Sequence, residues 1–366
     1  MTATDLAKRL VRHIRAHGPM TIAAFMAMAL HDPQDGYYAR RDPLGAAGDF
    51  VTAPEISQIF GELVGLWCAD IWQRMGAPDP VIFAELGPGR GTLMADLLRA
   101  GRGVAGFRAA LNPYLVEASP LLREIQRQAL KDAKPIWLSG VDDLPDGPLL
   151  LVANEFLDAL PIRQLVRGRA DWSERMVAAD GPGRLVFADS PENPALSFLV
   201  PAELRGAAPG TIVEICPAAA ALAGALAERL ARQPGAALFI DYGYADASAG
   251  DTLTAIRTHR GVAVLEQPGA ADLSAHVDFT AFATAAREAG AAVHGPVTQR
   301  AFLTALGAEA RLAALLGHAE PTQRAALETG LRRLIDPQEM GTLFKAVAVT
   351  SPGLPAPAGF ADGGSE

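Results

Sequence analysis

The feature that most constrains the fold is a glycine-dense turn between a buried strand and a helix. Residues 81–84 are apolar and suit a strand covered on both faces, and residues 93–100 suit a helix. Between them the sequence reads Glu85-Leu-Gly-Pro-Gly-Arg-Gly-Thr92. Glycine tolerates positive φ angles and lets the backbone approach a ligand at a helix N-terminus. The order of strand, tight turn and helix therefore predicts a site for a nucleotide-like ligand.

The spacing of the glycines distinguishes between three candidate ligands, which are a nucleotide phosphate, NAD and S-adenosylmethionine. A phosphate-binding loop needs a lysine before its Ser or Thr, but here Gly91 is followed directly by Thr92. In a dinucleotide fingerprint the position of Thr92 would carry the third glycine, which disfavours NAD. Glu85 stands two residues before the first glycine of a Gly-x-Gly-x-Gly run. This arrangement resembles the first motif of class I methyltransferases, which use S-adenosylmethionine (AdoMet).

A second acidic residue supports a nucleoside ligand. Residues 112–117 predict a short strand that ends at Glu117, and Ser119-Pro120 predicts the start of the next helix. A carboxylate at that point can accept hydrogen bonds from both hydroxyl groups of a ribose. Enzymes that bind NAD use the same device, so Glu117 supports a nucleoside without choosing between cofactors.

The strands that follow predict a Rossmann-like α/β domain. Apolar runs at residues 135–138, 148–153 and 236–241 alternate with helical patterns, which is typical of a parallel sheet with helices on both faces. Asp142 follows the first of these runs, where an acidic residue is expected near the adenine. Asp241 ends the last run and is expected beside Glu155, which follows the middle one.

Other segments are expected to lie outside this sheet. Two amphipathic helices are predicted at residues 4–16 and 21–30, followed by a long glycine-rich loop to Asp49 that we interpret as a lid. Short runs separated by Gly, Pro and Asp predict a small antiparallel β insertion. The predicted organisation is an N-terminal part at 1–60, an AdoMet domain at 61–161 and 211–350, the insertion at 162–210 and a disordered tail at 351–366.

Composition excludes several classes of protein. The net charge of −9 argues against a nucleic-acid-binding protein, which would normally carry a basic patch. No uncharged apolar run approaches the length of a membrane span, so a soluble protein is expected. The cysteines, Cys68 and Cys216, have no Cys or His partner at metal-ligand spacing, which predicts a reducing compartment and no structural metal.

Several longer motifs together resemble the MidA family, which includes the mitochondrial complex I assembly methyltransferase and many bacterial relatives. The resemblance runs from about Leu6 to Val349. The glycine motif is shared by all class I methyltransferases, whereas the stretches beginning at Gly48 and Asn154 are more specific. The motifs are Gly36-Tyr-Tyr38, Gly48-Asp-Phe-Val-Thr-Ala-Pro-Glu-Ile-Ser-Gln58, Phe60-Gly-Glu62, residues 85–92, Asn154-Glu-Phe-Leu-Asp-Ala-Leu-Pro161, Ile240-Asp-Tyr-Gly243, His276-Val-Asp-Phe279 and Met340-Gly-Thr-Leu-Phe-Lys345.

The resemblance implies an AdoMet-dependent protein arginine methyltransferase. Its expected product is symmetric dimethylarginine on the complex I subunit of about 49 kDa, on its bacterial counterpart or on a similar protein. The expected location is the cytoplasm of a bacterium, or the mitochondrial matrix in a eukaryote. The residues expected at the cofactor are Glu85, Gly87, Gly89, Gly91, Glu117, Asp142, Asn154 and Gln58.

Two carboxylates are expected to act on the substrate. Glu155 and Asp158 follow a buried strand at its carboxyl end, three residues apart, and would share one face if the segment formed a helical turn. A guanidinium is charged at ordinary pH and its nitrogens are poor nucleophiles, so paired carboxylates could orient it and accept a proton. Asp241 is a further candidate, although it could instead order the loop, and Asp158 could instead cap a turn. His276, Tyr37 and Tyr38 could contact the substrate or be structural.

Two other functions remain compatible with the sequence. The same cofactor site could serve a small-molecule methyltransferase. Alternatively, the protein could be a non-catalytic complex I assembly chaperone that needs the cofactor for stability.

Overall fold

The computed structural model of the protein describes residues 5–40, 51–181 and 183–360. The helices are α1 (Asp5–His17), α2 (Ile22–His31), α3 (Tyr37–Arg40), α4 (Ala53–Ile56), α5 (Gln58–Arg74), α6 (Thr92–Ala100), α7 (Phe107–Ala110), α8 (Pro120–Ala129), α9 (Pro217–Arg232), α10 (Phe279–Glu288), α11 (Gln299–Ala305), α12 (Ala308–Leu316), α13 (Pro321–Ile335) and α14 (Met340–Leu343). The predicted lid falls largely on residues 41–50, outside the described residues.

The strands alternate with these helices along the chain. They are β1 (Met20–Thr21), β2 (Val81–Leu86), β3 (Leu111–Val116), β4 (Ile136–Leu138), β5 (Leu149–Asn154), β6 (Arg163–Arg167), β7 (Trp172–Asp180), β8 (Arg184–Asp189), β9 (Ile212–Ile215), β10 (Gly235–Tyr244), β11 (Thr254–Arg257), β12 (Arg260–Val262), β13 (Asp272–Ser274), β14 (Val277–Asp278), β15 (Ala292–Thr298) and β16 (Phe344–Thr350).

The chain divides into two compact units. The first unit contains Met1–Phe50, Asp158–Ala220 and Asp246–Asp278, and the second contains Val51–Leu157, Ala221–Ala245 and Phe279–Glu366. This division differs from the predicted boundaries, which assigned residues 246–278 to the cofactor domain. The sequence gives no composition change at these residues that would separate them from the strands on either side.

The second unit is built on the predicted Rossmann-like sheet. Its strands lie in the order β15-β16-β10-β5-β2-β3-β4, and β10, β5, β2, β3 and β4 run parallel to one another. β16 runs antiparallel to both β10 and β15. Every residue of β2 and β5 is buried, as expected for strands covered on both faces. The predicted α/β fold class is confirmed.

The first unit combines the N-terminal helices α1, α2 and α3 with antiparallel sheets. The strand order of the larger sheet is β1-β7-β6-β9, with β8 paired to β7, and β12-β11-β13 form a second sheet. Apolar side chains of α1 and α2, including Leu10 and Phe25, form a core with Val177 of β7 and Leu273 of β13. Both predicted N-terminal helices and the antiparallel insertion are confirmed, and Thr21 caps α2 by accepting a hydrogen bond from the Ala24 N–H.

The sequence predicts a disordered tail at residues 351–366, and the structure describes residues 351–360 of this segment. Residues 351–360 contain no helix or strand, but the Phe360 ring is 6% exposed and lies 5.2 Å from the Phe302 ring, centroid to centroid. The indole N–H of Trp67 donates to the Ala358 carbonyl oxygen at 3.1 Å. Composition alone suggested disorder, whereas these contacts anchor the segment. Residues 361–366 lie outside the described part of the chain.

This packing predicts a stability effect at the C-terminal segment. Replacing Phe360 by alanine should lower the free energy of unfolding by about 2 kcal/mol or more, because the substitution removes a buried ring. Urea unfolding, followed by tryptophan fluorescence, measures this change in the free energy of unfolding. The matched control is Phe198→Ala, since that ring is 79% exposed and its loss should cost under about 0.5 kcal/mol. Equal effects of the two substitutions would contradict the packed segment.

Candidate active site

The glycine turn has the backbone that the sequence predicts. Gly87, Gly89 and Gly91 have φ angles of 59°, 52° and 83°, and Gly91 caps the N-terminus of α6. A Cβ on Gly87 would also lie 2.9 Å from Cδ2 of Phe156. The first glycine therefore serves two purposes, since it permits the turn and admits an aromatic ring from the segment after β5.

Glu85 is a buried carboxyl group at the end of β2. Its side chain is 2% exposed and accepts a hydrogen bond from the backbone N–H of Met94 in α6. Burial raises the pKa of Glu85 to about 8, and the charge of Glu117 adds to the shift. Its Oε2 atom is buried and has no hydrogen-bond partner among the described residues. An acceptor in that state is stabilised by a ligand that donates a hydrogen bond or carries positive charge.

Asn154 presents a second buried acceptor on the neighbouring strand. Its Nδ2 atom donates to Oε1 of Glu155 at 3.0 Å, which fixes the orientation of the amide because a carboxylate can only accept. The Oδ1 atom is buried and without a hydrogen-bond partner in the described part of the chain. Residues Leu86 and Ala153 are in register between β2 and β5, so Glu85 and Asn154 lie at the same edge of the sheet.

Glu117 follows β3 at this edge and is held on both oxygens. Oε1 accepts from the Ser119 backbone N–H at 2.7 Å, and Oε2 accepts from Nε2 of Gln126 at 3.2 Å. Burial raises the pKa of the Glu117 carboxyl, and these hydrogen bonds oppose that shift. The predicted cap is confirmed, since the Ser119 hydroxyl accepts from the Leu122 N–H at the start of α8.

Gln126 is a site residue that the sequence did not reveal. It lies on α8, and its side chain is 0% exposed. Besides Glu117, Nε2 donates to the Gly89 carbonyl oxygen at 2.8 Å, and Oε1 accepts from Nε1 of Trp137 at 2.8 Å. A glutamine among charged residues on a helix is typical of a surface position, so its role depends on contacts distant in sequence.

Glu155 lies directly after β5 in an unusual backbone conformation. Its φ angle is 50°, a left-handed value that a residue with a Cβ adopts at an energetic cost. The Oε1 atom accepts from the Ala53 backbone N–H at 3.0 Å as well as from Asn154. This contact joins the two most family-specific motifs of the chain. Residues 155–160 form bends and turns, so the helical turn considered for Glu155 and Asp158 does not form.

Asp241 acts on the backbone of the same segment. Its Oδ2 atom accepts from the N–H groups of Phe156 at 3.0 Å and Leu157 at 2.8 Å, and Oδ1 accepts from the Tyr242 N–H at 2.9 Å. The parallel pairing of Ile240 with Asn154 places Asp241 beside Glu155, as predicted. These contacts support the interpretation that Asp241 orders the loop after β5.

The remaining expected cofactor residues of the second unit lie at its surface. Gln58 begins α5 and is exposed. Asp142 is exposed in a 3₁₀ turn after β4, where Asp143 accepts from the Gly140 N–H at 3.1 Å. Their proposed contacts with the cofactor stay predictions.

Four of the residues expected at the substrate belong to the first unit, namely Asp158, Tyr37, Tyr38 and His276. Asp158 is buried, and its carbonyl oxygen accepts from the Ala275 N–H at 3.0 Å. The Tyr38 hydroxyl donates to Oδ1 of Asp272 at 3.0 Å, and burial together with the charges of Asp272 and Asp158 raises the pKa of this phenol. The His276 N–H donates to Oγ1 of Thr252. Glu155 and Asp158 belong to different units, and their pairing stays a prediction.

Known proteins resemble the chain in both sequence and structure. The sequence profile of a family of S-adenosyl-L-methionine-dependent methyltransferases, Methyltransf_28, matches residues 63–297. The mitochondrial protein arginine methyltransferase NDUFAF7 of Danio rerio is 38% identical over 94% of this chain and 86% of its own length. The Drosophila melanogaster homologue is 38% identical over 94% and 84%, and the Homo sapiens protein is 36% identical over 94% and 83%.

Two solved structures share the whole fold. One is a COG1565 superfamily member from Burkholderia thailandensis bound to S-adenosyl-homocysteine, with a TM-score of 0.86, 31% identity and coverage of 99% of this chain and 95% of that chain. A second structure of a COG1565 protein from the same organism has a TM-score of 0.80 and 32% identity, covering 97% and 94%. The fold and the site define an AdoMet-dependent methyltransferase of class I. The chain belongs to the Methyltransf_28 family, which is also the family of NDUFAF7.

The residues at the sheet edge fit AdoMet. The cofactor carries an ammonium and a carboxylate group at its methionine end, a sulfonium that joins this part to the ribose, and two hydroxyl groups on the ribose. Glu85 and Asn154 offer buried acceptors beside the glycine turn, and Glu117 offers a fixed carboxylate after the next strand. Acceptors suit the donors and the positive charge of the methionine end, and Glu117 suits the ribose.

The pKa of Glu85 predicts a pH-dependent contribution to stability. Its carboxyl has a pKa of about 8 in the folded protein and 4.5 as the ordinary value, so the fold holds the proton more tightly. This contribution favours folding below the ordinary pKa and is lost as pH rises through about 8. Between about pH 6 and pH 8, ligand-free wild type should therefore lose about 2 kcal/mol more free energy of unfolding than Glu85→Gln.

Urea unfolding of both proteins across this pH range measures the difference. Glu328→Gln, at an exposed position of α13, is the control and should follow wild type. The same pH dependence in wild type and Glu85→Gln would show that Glu85 does not hold a proton in the fold.

Proposed function

We propose that this enzyme transfers a methyl group from AdoMet to the guanidinium group of an arginine in a protein. The names of its relatives support this substrate, because proteins named as protein arginine methyltransferases are 35–38% identical over 94–95% of the chain. The observation that carries the proposal is the geometry of Glu155. It supplies a carboxylate at the carboxyl end of the sheet, next to the cofactor turn.

The position of Glu155 is fixed by three separate contacts. The amides of Ala53 and Asn154 both donate to Oε1, and the backbone after Glu155 is anchored on Asp241. The next residue, Phe156, lies against Gly87 of the glycine turn. A strained φ angle held by so many contacts is typical of a functional position. These features support a carboxylate preorganised beside the methyl donor.

The chemistry of arginine methylation explains the need for such a carboxylate. AdoMet supplies an electrophilic methyl group when it is bound. The guanidinium group is planar and charged, and its nitrogen lone pairs are delocalised, so the protein must orient one nitrogen. Glu155 would accept two N–H groups and take up the proton released by the methylated nitrogen. Asp158, three residues after Glu155 in the sequence, is proposed as the second carboxylate that would orient the guanidinium.

The proposed substrate is the complex I subunit named above or its bacterial counterpart, with symmetric dimethylarginine as the product. A net charge of −9 favours the approach of an arginine-containing segment. Among the described residues no helix is long and apolar enough to cross a membrane. The expected cytoplasmic location, or the mitochondrial matrix in a eukaryote, stays a prediction.

Glu155→Gln tests the proposal. The amide keeps the size of the side chain but removes its negative charge, so methyl transfer should fall about 100-fold or more. Binding of S-adenosylhomocysteine should change by less than about threefold, because no donor of the cofactor is assigned to Glu155. The assay incubates the enzyme with AdoMet and the purified subunit, and dimethylarginine is quantified after hydrolysis.

Glu328→Gln is again the matched control, and it should retain full activity because it alters an exposed glutamate. Unchanged methylation by Glu155→Gln would refute the catalytic assignment. A wild-type protein that binds the subunit but never methylates it would favour the assembly chaperone. Transfer to free guanidino compounds but not to protein would favour a small-molecule enzyme.

A further inference from the structure

We propose that Gln126 is a positioning residue for the nucleoside end of AdoMet. Its single amide joins three parts of the site: the glycine turn, the carboxylate expected to hold the ribose and the neighbouring strand β4. The contacts are to the Gly89 carbonyl oxygen, Oε2 of Glu117 and Nε1 of Trp137. No motif named in the sequence analysis includes a residue in the middle of α8.

The donors and acceptors determine the orientation of this amide. The indole Nε1–H of Trp137 can only donate, so the atom 2.8 Å from it must be the amide oxygen. Both hydrogens on Nε2 are then committed, one to Gly89 at 2.8 Å and one to Glu117 at 3.2 Å. Because the side chain is 0% exposed, water cannot replace any of the three partners. The amide therefore has one orientation, and both of its N–H hydrogens are used.

This orientation has a direct consequence for Glu117. The Ser119 N–H binds one carboxylate oxygen and Gln126 binds the other, so the plane of the carboxylate is set before any ligand arrives. To accept hydrogen bonds from the two hydroxyl groups of a ribose, both oxygens of the Glu117 carboxylate must point in the right direction. Donation from Gln126 also stabilises the charged carboxylate against the effect of burial, which raises its pKa. Without Gln126, Oε2 of Glu117 would lose the donor that fixes it, and the pKa of the carboxyl would rise further.

The same amide holds the turn beneath the ligand. Gly89 has a φ angle of 52°, and its carbonyl oxygen accepts a partly buried hydrogen bond from Gln126. The next glycine, Gly91, is also close, since a Cβ there would lie 3.6 Å from Cγ of Gln126 and 3.2 Å from Cδ1 of Leu130. Gln126 of α8 and Leu130, the residue directly after α8, thus contact the turn with an amide and an apolar side chain. Gln126 couples the shape of the turn to the direction of Glu117.

Gln126→Met tests this role, because methionine has a similar length but neither donates nor accepts strongly. The probes are S-adenosylhomocysteine and its 2′-deoxyribose analogue, with dissociation constants measured by calorimetry. The ratio of the two constants reports recognition of the ribose hydroxyl group. In Gln126→Met we expect binding of S-adenosylhomocysteine to weaken about tenfold, while the analogue changes by less than about threefold. The preference for ribose should fall to the level of Glu117→Ala.

Combining the substitutions separates positioning from packing. If Gln126 acts through Glu117, the variant with both Gln126→Met and Glu117→Ala should show the same ribose preference as Glu117→Ala alone. The matched control is Gln299→Met, since Gln299 is also fully buried and its Nε2 donates to the Leu334 carbonyl oxygen at 2.8 Å. That control should keep the wild-type ratio even if it lowers stability.

A second variant covers the case in which Gln126→Met fails to fold. Trp137→Phe leaves Gln126 in place but removes the donor that orients its amide, and we expect the ribose preference to fall about two- to fivefold. Equal weakening of both ligands in Gln126→Met, or an unchanged ratio in the two variants, would overturn the proposal. Gln126 would then be a structural residue of the core.

Discussion

The parallel register of β5 with β2 and β10 determines where the polar side chains of the site lie. Leu86 pairs with Ala153, and Ile240 pairs with Asn154, so the parallel pairing of the three strands ends at one edge of the sheet. The residues directly after those positions face a common region, at the point where open α/β sheets bind their ligands. A shift of one residue in any pair would move these side chains to the other face.

Glu85, Glu117 and Asp241 are buried at this edge and Glu155 is half-buried, and the structure holds each carboxyl group in a different way. Asp241 accepts hydrogen bonds from three backbone N–H groups. Glu117 receives one backbone and one side-chain donor, and Glu155 receives one of each on a single oxygen. Glu85 has fewer donors, and burial raises its pKa to about 8. Glu85 therefore has the least help from hydrogen bonds inside the protein, and its charged form depends most on a bound ligand.

The sequence predicted the framework of the site because its signals are local. The positive φ angles of the glycine turn and the Ser119 cap follow from residues a few positions apart, and both are confirmed. Two other features could not be predicted. The role of Gln126 depends on Trp137 and on the glycine turn, which come from separate elements. The packing of residues 351–360 depends on rings far away in the chain, such as Phe302.

The sequence alone thus determined the class of fold, the cofactor and the family, because periodicity, turn chemistry and long motifs are properties of neighbouring residues. It also identified Glu155 as a candidate, since the residue follows a buried strand. Only the tertiary structure decided the state of each side chain. The contact between Ala53 and Glu155 spans 102 positions and depends on how two motifs pack. Orientation, burial and pKa arise from such contacts, and no local pattern contains them.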